Sequence, residues 1–132
     1  MFGTYQHSEL RIELDAKKAQ IESSLTRQAE LKSWLWPQQI GFGAADGETL
    51  VLGQVFESSL GPVKTSHTVE QLSTTGVRFL LSGSIDGYHE WQWGEGWVQS
   101  RLEGVSLLPL NLAQTASLFR LKRHLQPPLE RT

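Results

Sequence analysis

The sequence contains no cysteine among its 132 residues. That absence excludes disulfide bonds, zinc sites with thiolate ligands and thiol nucleophiles, and small exported domains often depend on disulfide bonds. The first seven residues contain neither a basic segment nor an apolar one, so we expect no signal peptide. Together these absences predict a cytoplasmic protein.

Long apolar runs are missing as well. No run approaches the roughly 20 residues that a membrane-spanning helix needs, which predicts a chain without a transmembrane segment. A large charge of one sign is also absent, because 12 basic and 14 acidic residues give a formal net charge of −2. Without a broad positive surface, a nucleic acid is not expected as a partner.

The chain has the length of one domain, and we predict a single domain over residues 1–132. No internal repeat, linker or low-complexity segment divides it. The tail from about residue 127 begins with two prolines and is expected to be loose.

The first part of the chain predicts one strand and a helical hairpin. Apolar residues alternate with charged ones between Tyr5 and Leu14, a pattern typical of a strand with one buried face. Two short helices are predicted to follow, the first capped by Asp15 and the second running from near Thr26 to a stop at Pro37.

The rest of the chain predicts six more strands and a closing helix. Glycine and proline turn signals divide the segment from Gln38 to about residue 108 into short strand-like pieces. Asp86-Gly87 is the strongest of these signals, because both central positions of a type I′ turn need positive φ. A helix capped by Asn111 and ending near Gln126 follows. Its predicted buried face contains Leu112, Ala116, Phe119 and either Leu121 or Leu125.

One stretch of the predicted hairpin reads Ile21-Glu22-Ser23-Ser24-Leu25-Thr26 followed by Leu31-Lys32-Ser33-Trp34. Its spacing, together with the order of the elements, resembles the START-like or SRPBCC superfamily, which includes polyketide cyclases and lipid-transport proteins. The resemblance implies an α+β helix-grip fold, in which a curved antiparallel sheet of about seven strands carries a long C-terminal helix across its concave face. It also implies an elongated cavity between that helix and the sheet, used in the superfamily for apolar molecules.

The hairpin signals also predict which side chains face the cavity. If Asp86-Gly87 is a two-residue loop and residues 94–96 form a three-residue loop, one face of the last three strands is mostly apolar with a few polar groups. With one side chain from the second helix and one from the last, this face gives the predicted ligand-binding set: Trp34, Phe79, Leu81, Tyr88, Glu90, Gln92, Leu102 and Phe119.

The opposite face would then hold Trp91, Trp93 and Trp97, and an exposed aromatic cluster often marks an interface. A homodimer through these three tryptophans is one interpretation. The other is a bulge near Gly94 that shifts the register by one residue, exchanges the faces and turns some of the tryptophans toward the cavity. The sequence leaves both interpretations open.

Glu90 is the strongest candidate for a functional acid, because a carboxyl group on an apolar cavity face has its charged form disfavoured. Tyr88 is a second candidate for proton transfer. The alternative for Glu90 is a carboxylate that faces solvent or pairs with a neighbouring cation. No metal-ligand motif, nucleophile elbow or dinucleotide fingerprint occurs, so neither a metal nor another cofactor is expected.

The favoured function is a non-enzymatic carrier or sensor of an apolar or amphipathic molecule, such as a lipid or polyketide, because no catalytic constellation is visible. This function requires an enclosed space of roughly 300 Å³, the lower end for ligand pockets. The alternatives are a cyclase or hydratase that uses Glu90 or Tyr88 as acid or base, and an interaction protein that dimerises through the tryptophan face.

Overall fold

The computed structural model describes residues 3–35, 38–42 and 49–126. The elements in chain order are β1 (Thr4–Glu13), α1 (Lys18–Thr26), α2 (Gln28–Trp34), β2 (Gln39–Gly41), β3 (Val55–Leu60), β4 (Val63–Leu72), β5 (Gly76–Gly83), β6 (Ile85–Gly94), β7 (Trp97–Ser106) and α3 (Leu110–Leu125). The helix stop predicted at Pro37 and the loose tail predicted from residue 127 lie outside the described residues.

All seven strands belong to one antiparallel sheet with the order β1-β7-β6-β5-β4-β3-β2. α3 packs on β1 and β7, while α1 packs on β5 and β6 and both short helices contact α3. We call the side of the sheet that carries the helices the inner face and the other side the outer face. The arrangement confirms the predicted α+β helix-grip fold, and the extent of the domain stays a prediction.

The starts of two helices differ from the prediction. Asp15 is not the cap of α1, which begins at Lys18. Asn111 lies inside the first turn of α3, because that helix begins at Leu110. The backbone N–H of Leu110 donates to Gln6 Oε1 at 2.9 Å. A side chain from β1 therefore satisfies one of the free N–H groups at the helix start, and such a distant partner leaves no local sequence signal.

The buried face of α3 is a different stripe from the predicted one. Leu112 and Phe119 are 63% and 61% exposed. The residues that are buried on this helix are Leu110, Gln114, Leu118 and Leu121. Gln114 explains the error. It is a polar residue in the middle of the buried stripe, so this stripe lacks a clear apolar periodicity in the sequence, and the neighbouring stripe was predicted to be buried instead.

The turn predicted at Asp86-Gly87 is wrong, because both residues lie inside β6. Asp86 is paired with Val105 and Gly87 with Gly104 of β7. The chain reverses earlier, near Gly83, which has a φ of +98°. A Cβ at Gly87 would lie 1.9 Å from the Glu103 carbonyl oxygen, so this glycine allows a close approach of two strands rather than a turn.

The loop between β6 and β7 is also one residue shorter than predicted. Gly94 pairs with Trp97 and Trp93 pairs with Val98, which leaves a two-residue connection. Gly96 in this connection has a φ of +74° whereas Glu95 has no positive φ, which is the pattern of a type II turn, whose third residue requires positive φ. Because side chains alternate along a strand, the changed registers exchange the two faces of β6.

The structure therefore confirms exchanged faces for β6, but not the bulge near Gly94 that was expected to cause them, because the pairing of β6 with β7 is continuous up to Gly94. Trp91 and Trp93 are 4% and 1% exposed and lie in the core, so the prediction of an exposed face containing both is wrong. Trp97 remains on the outer face, half-buried, with the Arg11 guanidinium 4.1 Å from its ring centroid. The dimer interface predicted through these three tryptophans consequently has no continuous surface.

Candidate functional site

A cavity of about 110 Å³ lies between the inner face of the sheet, α2 and α3. Its apolar walls come from Leu31 and Trp34 of α2, from Leu35 directly after that helix, and from residues of β3, β5, β6 and β7. α3 contributes Ala113, Gln114 and Ser117. This volume does not meet the roughly 300 Å³ required above for a carrier of a lipid or polyketide, so a ligand of that size does not fit the space as it stands.

Aromatic side chains hold the walls of this cavity in place. The Trp34 Nε1–H donates to the Ser24 carbonyl oxygen at 2.7 Å, which joins α2 to α1. Trp34 meets Trp91 edge to face with ring centroids 6.1 Å apart. Phe56 meets Phe79 in the same geometry at 5.5 Å. These contacts fix side chains from a helix and three strands around one space.

His67 of β4 lines one side of the cavity. Its Nε2 is 2.8 Å from Ser58 Oγ, and its ring is stacked on Phe56 with centroids 4.7 Å apart. Although the ring borders the cavity, protein atoms surround it elsewhere, and this burial lowers the pKa of His67 to about 4. His67 is therefore neutral near pH 7.

His89 of β6 lines the cavity as well and belongs to a chain of buried polar groups. Gln114 Nε2 donates to Ser100 Oγ at 3.0 Å and to the Ser100 carbonyl oxygen at 2.8 Å. Ser8 Oγ donates to Gln114 Oε1 at 2.6 Å. Ser100 Oγ is also 2.7 Å from His89 Nε2, and either atom can be the donor, because a hydroxyl that accepts from Gln114 keeps a second lone pair as well as its own proton.

The other ring nitrogen of His89, Nδ1, has no hydrogen-bond partner among the described residues, and it is a donor or an acceptor according to the tautomer of the ring. Burial, and secondarily the proximity of His67, lowers the pKa of His89 to about 3. The cavity wall thus contains a neutral imidazole with one ring nitrogen available to a ligand.

Four of the predicted ligand-binding residues line the cavity, and four do not. Trp34, Phe79, Leu81 and Leu102 are part of its wall. Phe119 is exposed on the outer side of α3. Tyr88, Glu90 and Gln92 lie on the outer face of the sheet, because the register of β6 differs from the predicted one.

On the outer face, Tyr88 and Glu90 take part in a surface network. The Tyr88 hydroxyl donates to Glu103 Oε2, and the Arg78 guanidinium lies 4.0 Å from the Tyr88 ring centroid. Arg78 is also 3.7 Å from Glu90 Oε2. The alternative considered for Glu90, a carboxylate next to a cation, is the arrangement found.

The polar residues of the cavity were not predicted from the sequence. His67 lies two residues before buried Val69, and His89 lies two residues before buried Trp91. Residues two apart on a strand share a face, and this spacing was the signal that the sequence offered. Gln114 offered no signal, because a glutamine in an amphipathic helix is usually exposed. In the described parts of the chain, no group of three acidic or histidine residues could hold a metal ion. No helix there is long and apolar enough to span a bilayer.

The strand order and the helix positions together define a START/SRPBCC-like helix-grip fold. Similar solved structures include the Aha1 dimer from Colwellia psychrerythraea, with 21% identity, a TM-score of 0.67 and coverage of 92% of this chain and 97% of that one. A protein from Chromobacterium violaceum has 14% identity, a TM-score of 0.72 and coverage of 92% and 99%.

Truncated norcoclaurine synthase from Thalictrum flavum is a third similar structure, with 10% identity, a TM-score of 0.61 and coverage of 98% of both chains. No protein-family model and no curated protein sequence matches this chain. At these identities the likeness establishes the fold alone.

Proposed function

We propose that the protein binds a small apolar or amphipathic molecule in the cavity between α3 and the sheet, as a carrier or sensor. The observation that supports this function is an apolar cavity whose wall contains two neutral, hydrogen-bonded imidazoles. A mostly apolar space with a few oriented polar groups is typical of small-molecule sites.

The size of the cavity restricts the ligand. An engineered cavity of about 150 Å³ in another protein accommodates benzene, so a space of about 110 Å³ corresponds to roughly one small ring or a short chain. A lipid or a polyketide-like molecule would need the cavity to widen. The ligand class that we propose is therefore a single-ring compound with one hydrogen-bonding group.

The available ring nitrogen of His89 indicates the kind of group that such a ligand carries. This nitrogen is satisfied by an acceptor when it carries the proton and by a donor when it does not, and a hydroxyl group can act as either. A ligand without a polar group would leave the nitrogen without a partner and would bind less well. A phenol fits these requirements better than toluene, which has the same ring without a polar group.

The two residues on which the enzyme alternative depended do not line the cavity. Tyr88 and Glu90 are on the outer face, where neither can transfer a proton to a molecule in the cavity. The two cavity histidines have pKa values of about 4 and about 3, well below the range in which a general base is most effective near pH 7. We therefore propose binding without catalysis.

Native mass spectrometry of the gently purified protein tests the proposal first. We expect an adduct of roughly one hundred daltons, the mass of a single-ring compound, that disappears on denaturation, or, for protein without an adduct, saturable binding of phenol that is stronger than binding of toluene. If no adduct is present and neither phenol nor toluene binds, the proposal is wrong.

Two matched substitutions on α3 locate the binding site. The hydroxyls of Thr115 and Ser117 each donate to the carbonyl oxygen four residues earlier, but only Ser117 lines the cavity. Ser117→Phe is expected to fill the space and weaken phenol binding about tenfold or more, since displaced contacts of about 1.4 kcal/mol change affinity by that factor. Thr115→Phe should bind phenol like the wild type. Equal effects of the two substitutions would place the ligand elsewhere.

A further inference from the structure

β1 is an edge strand with one side unoccupied. It pairs with β7 along its whole length from Thr4 to Glu13, and the sheet order places no described strand on its other side. The Leu14 N–H donates to the Gly96 carbonyl oxygen, so even-numbered residues at this edge direct their backbone groups toward β7. In an antiparallel pair the residues between them direct theirs away. The odd-numbered residues of β1 therefore present N–H and C=O groups that pair with no other strand among the described residues.

The same odd-numbered residues place a charge pattern on the outer face. In order along the strand these side chains are His7, Glu9, Arg11 and Glu13, and all four are exposed. The strand contains no proline and no bulge, two devices that commonly protect an edge strand from pairing. The backbone of β1 can therefore pair with another strand along its whole length.

We propose that β1 forms an antiparallel pair with β1 of a second copy of this chain, with Leu10 on the twofold axis. In this register Glu9 of each copy is opposite Arg11 of the other, and His7 is opposite Glu13. Each pair occurs twice because the interface is isologous. The pattern is self-complementary, since cross-strand pairs of opposite charge stabilise a sheet.

The neighbouring registers do not have this complementarity. Moving the axis to Glu9 places the two Glu9 side chains opposite each other. Moving it to Arg11 places the two Arg11 side chains opposite each other and pairs Glu9 with Glu13. Like charges in directly opposed positions destabilise a strand pair. The charges therefore favour one register and one partner, a second copy.

Glu9 and Arg11, at the centre of the proposed interface, each have polar atoms that can form a further hydrogen bond. Glu9 Oε1 accepts from Arg101 at 3.2 Å and from Gln99 at 2.8 Å, while Oε2 has no partner among the described residues. Arg11 donates through Nε to Gln99 at 3.0 Å. Its two terminal nitrogens have no hydrogen bond to a described residue. A guanidinium and a carboxylate oxygen are thus available in each copy.

The inner face of β1 adds an apolar contribution. Leu10 and Ile12 are only half-buried where they stand, because the core ends at this edge. In the proposed pair the two Leu10 side chains meet at the axis, and Ile12 lies opposite Ser8. Pairing would therefore bury apolar surface that a single copy leaves open.

Solution mass measured by light scattering at low ionic strength tests the proposal with two charge reversals. We expect the wild type to be a dimer, and we expect Glu9→Arg and Arg11→Glu each to dissociate about tenfold or more readily, because each places like charges opposite each other. Mixing the two variants should restore a dimer, since every opposed pair then has opposite charges. Glu57→Arg, an exposed outer-face position on β3, is the matched control and should not change the mass.

A second measurement uses the absence of cysteine. Opposed residues of a non-hydrogen-bonded antiparallel pair have Cα atoms about 4.5 Å apart, within the range that a disulfide spans. Leu10→Cys should therefore form a covalent dimer under mild oxidation, and Leu80→Cys, an exposed position on β5, should not.

A wild type that stays monomeric at roughly 0.1 mM, where dimers of micromolar affinity are formed, would overturn the proposal. Failure of the two folded charge variants to associate when mixed, or equal cross-linking of the two cysteine variants, would overturn the proposed register.

Discussion

Trp93→Ala is expected to lower the free energy of unfolding by about 3 to 5 kcal/mol, the usual cost of removing a large aromatic side chain from a core. Trp93 is 1% exposed, and its Nε1–H donates to the Thr74 carbonyl oxygen at 3.0 Å. The substitution would therefore leave both a cavity and an unpaired backbone acceptor. Because a domain of this size has only about 5 to 15 kcal/mol of stability, the variant should be close to unfolding at 37 °C.

Trp97→Ala is the matched control, since the same residue type is replaced four positions later on the outer face. Trp97 is half-buried under the Arg11 guanidinium, so its loss should cost about 1 kcal/mol. Urea denaturation of both variants monitored by circular dichroism measures the difference. Similar losses for the two tryptophans would mean that they share an environment, and the register of β6 and β7 described above would be wrong.

The sequence was sufficient to predict the order of the elements. Turn residues and periodic apolar positions predicted the number and order of the seven strands and three helices, although the turn before β6 and the starts of α1 and α3 were misplaced. They gave Trp34, Phe79, Leu81 and Leu102 as cavity residues as well, because their strands and helix were assigned correctly.

The rest of the site depended on registers that local signals do not determine. Gly87 has the sequence context of a turn, but it is a glycine because the Glu103 carbonyl oxygen of the neighbouring strand is too close for a Cβ. A contact between strands is invisible in a short window of sequence. A shift of one residue then moved Tyr88, Glu90 and Gln92 to the outer face and brought His89, Trp91 and Trp93 to the inner one.

Lowering the pH is expected to unfold the protein because two histidines are buried in their neutral form. The pKa of His67 is about 4 and that of His89 about 3 in the folded state, compared with an ordinary value of 6.5. Above pH 6.5 both states are neutral at these positions, so the histidines add no pH dependence. Below pH 6.5 the unfolded chain binds protons that the folded protein does not, and stability falls with the pH.

The expected size of this effect is large. For each unit by which the pH falls, each histidine lowers the free energy of unfolding by up to about 1.4 kcal/mol, as long as only the unfolded state binds the proton. Between pH 6.5 and pH 4.5 the pair should therefore remove on the order of 5 kcal/mol, comparable to the whole stability of a small domain. Among the described residues no acidic side chain forms an ion pair with either ring that would offset this cost.

Urea denaturation at several pH values between 7 and 4.5 measures the slope, and substitution identifies its source. Glutamine can keep a hydrogen bond to Ser58 or Ser100 but has no titration in this range, so His67→Gln combined with His89→Gln should flatten the slope even if the variant is less stable at pH 7. If the double variant has the same dependence of stability on pH as the wild type, neither ring is buried as described. The assignment of His67 and His89 to the cavity wall would then be wrong.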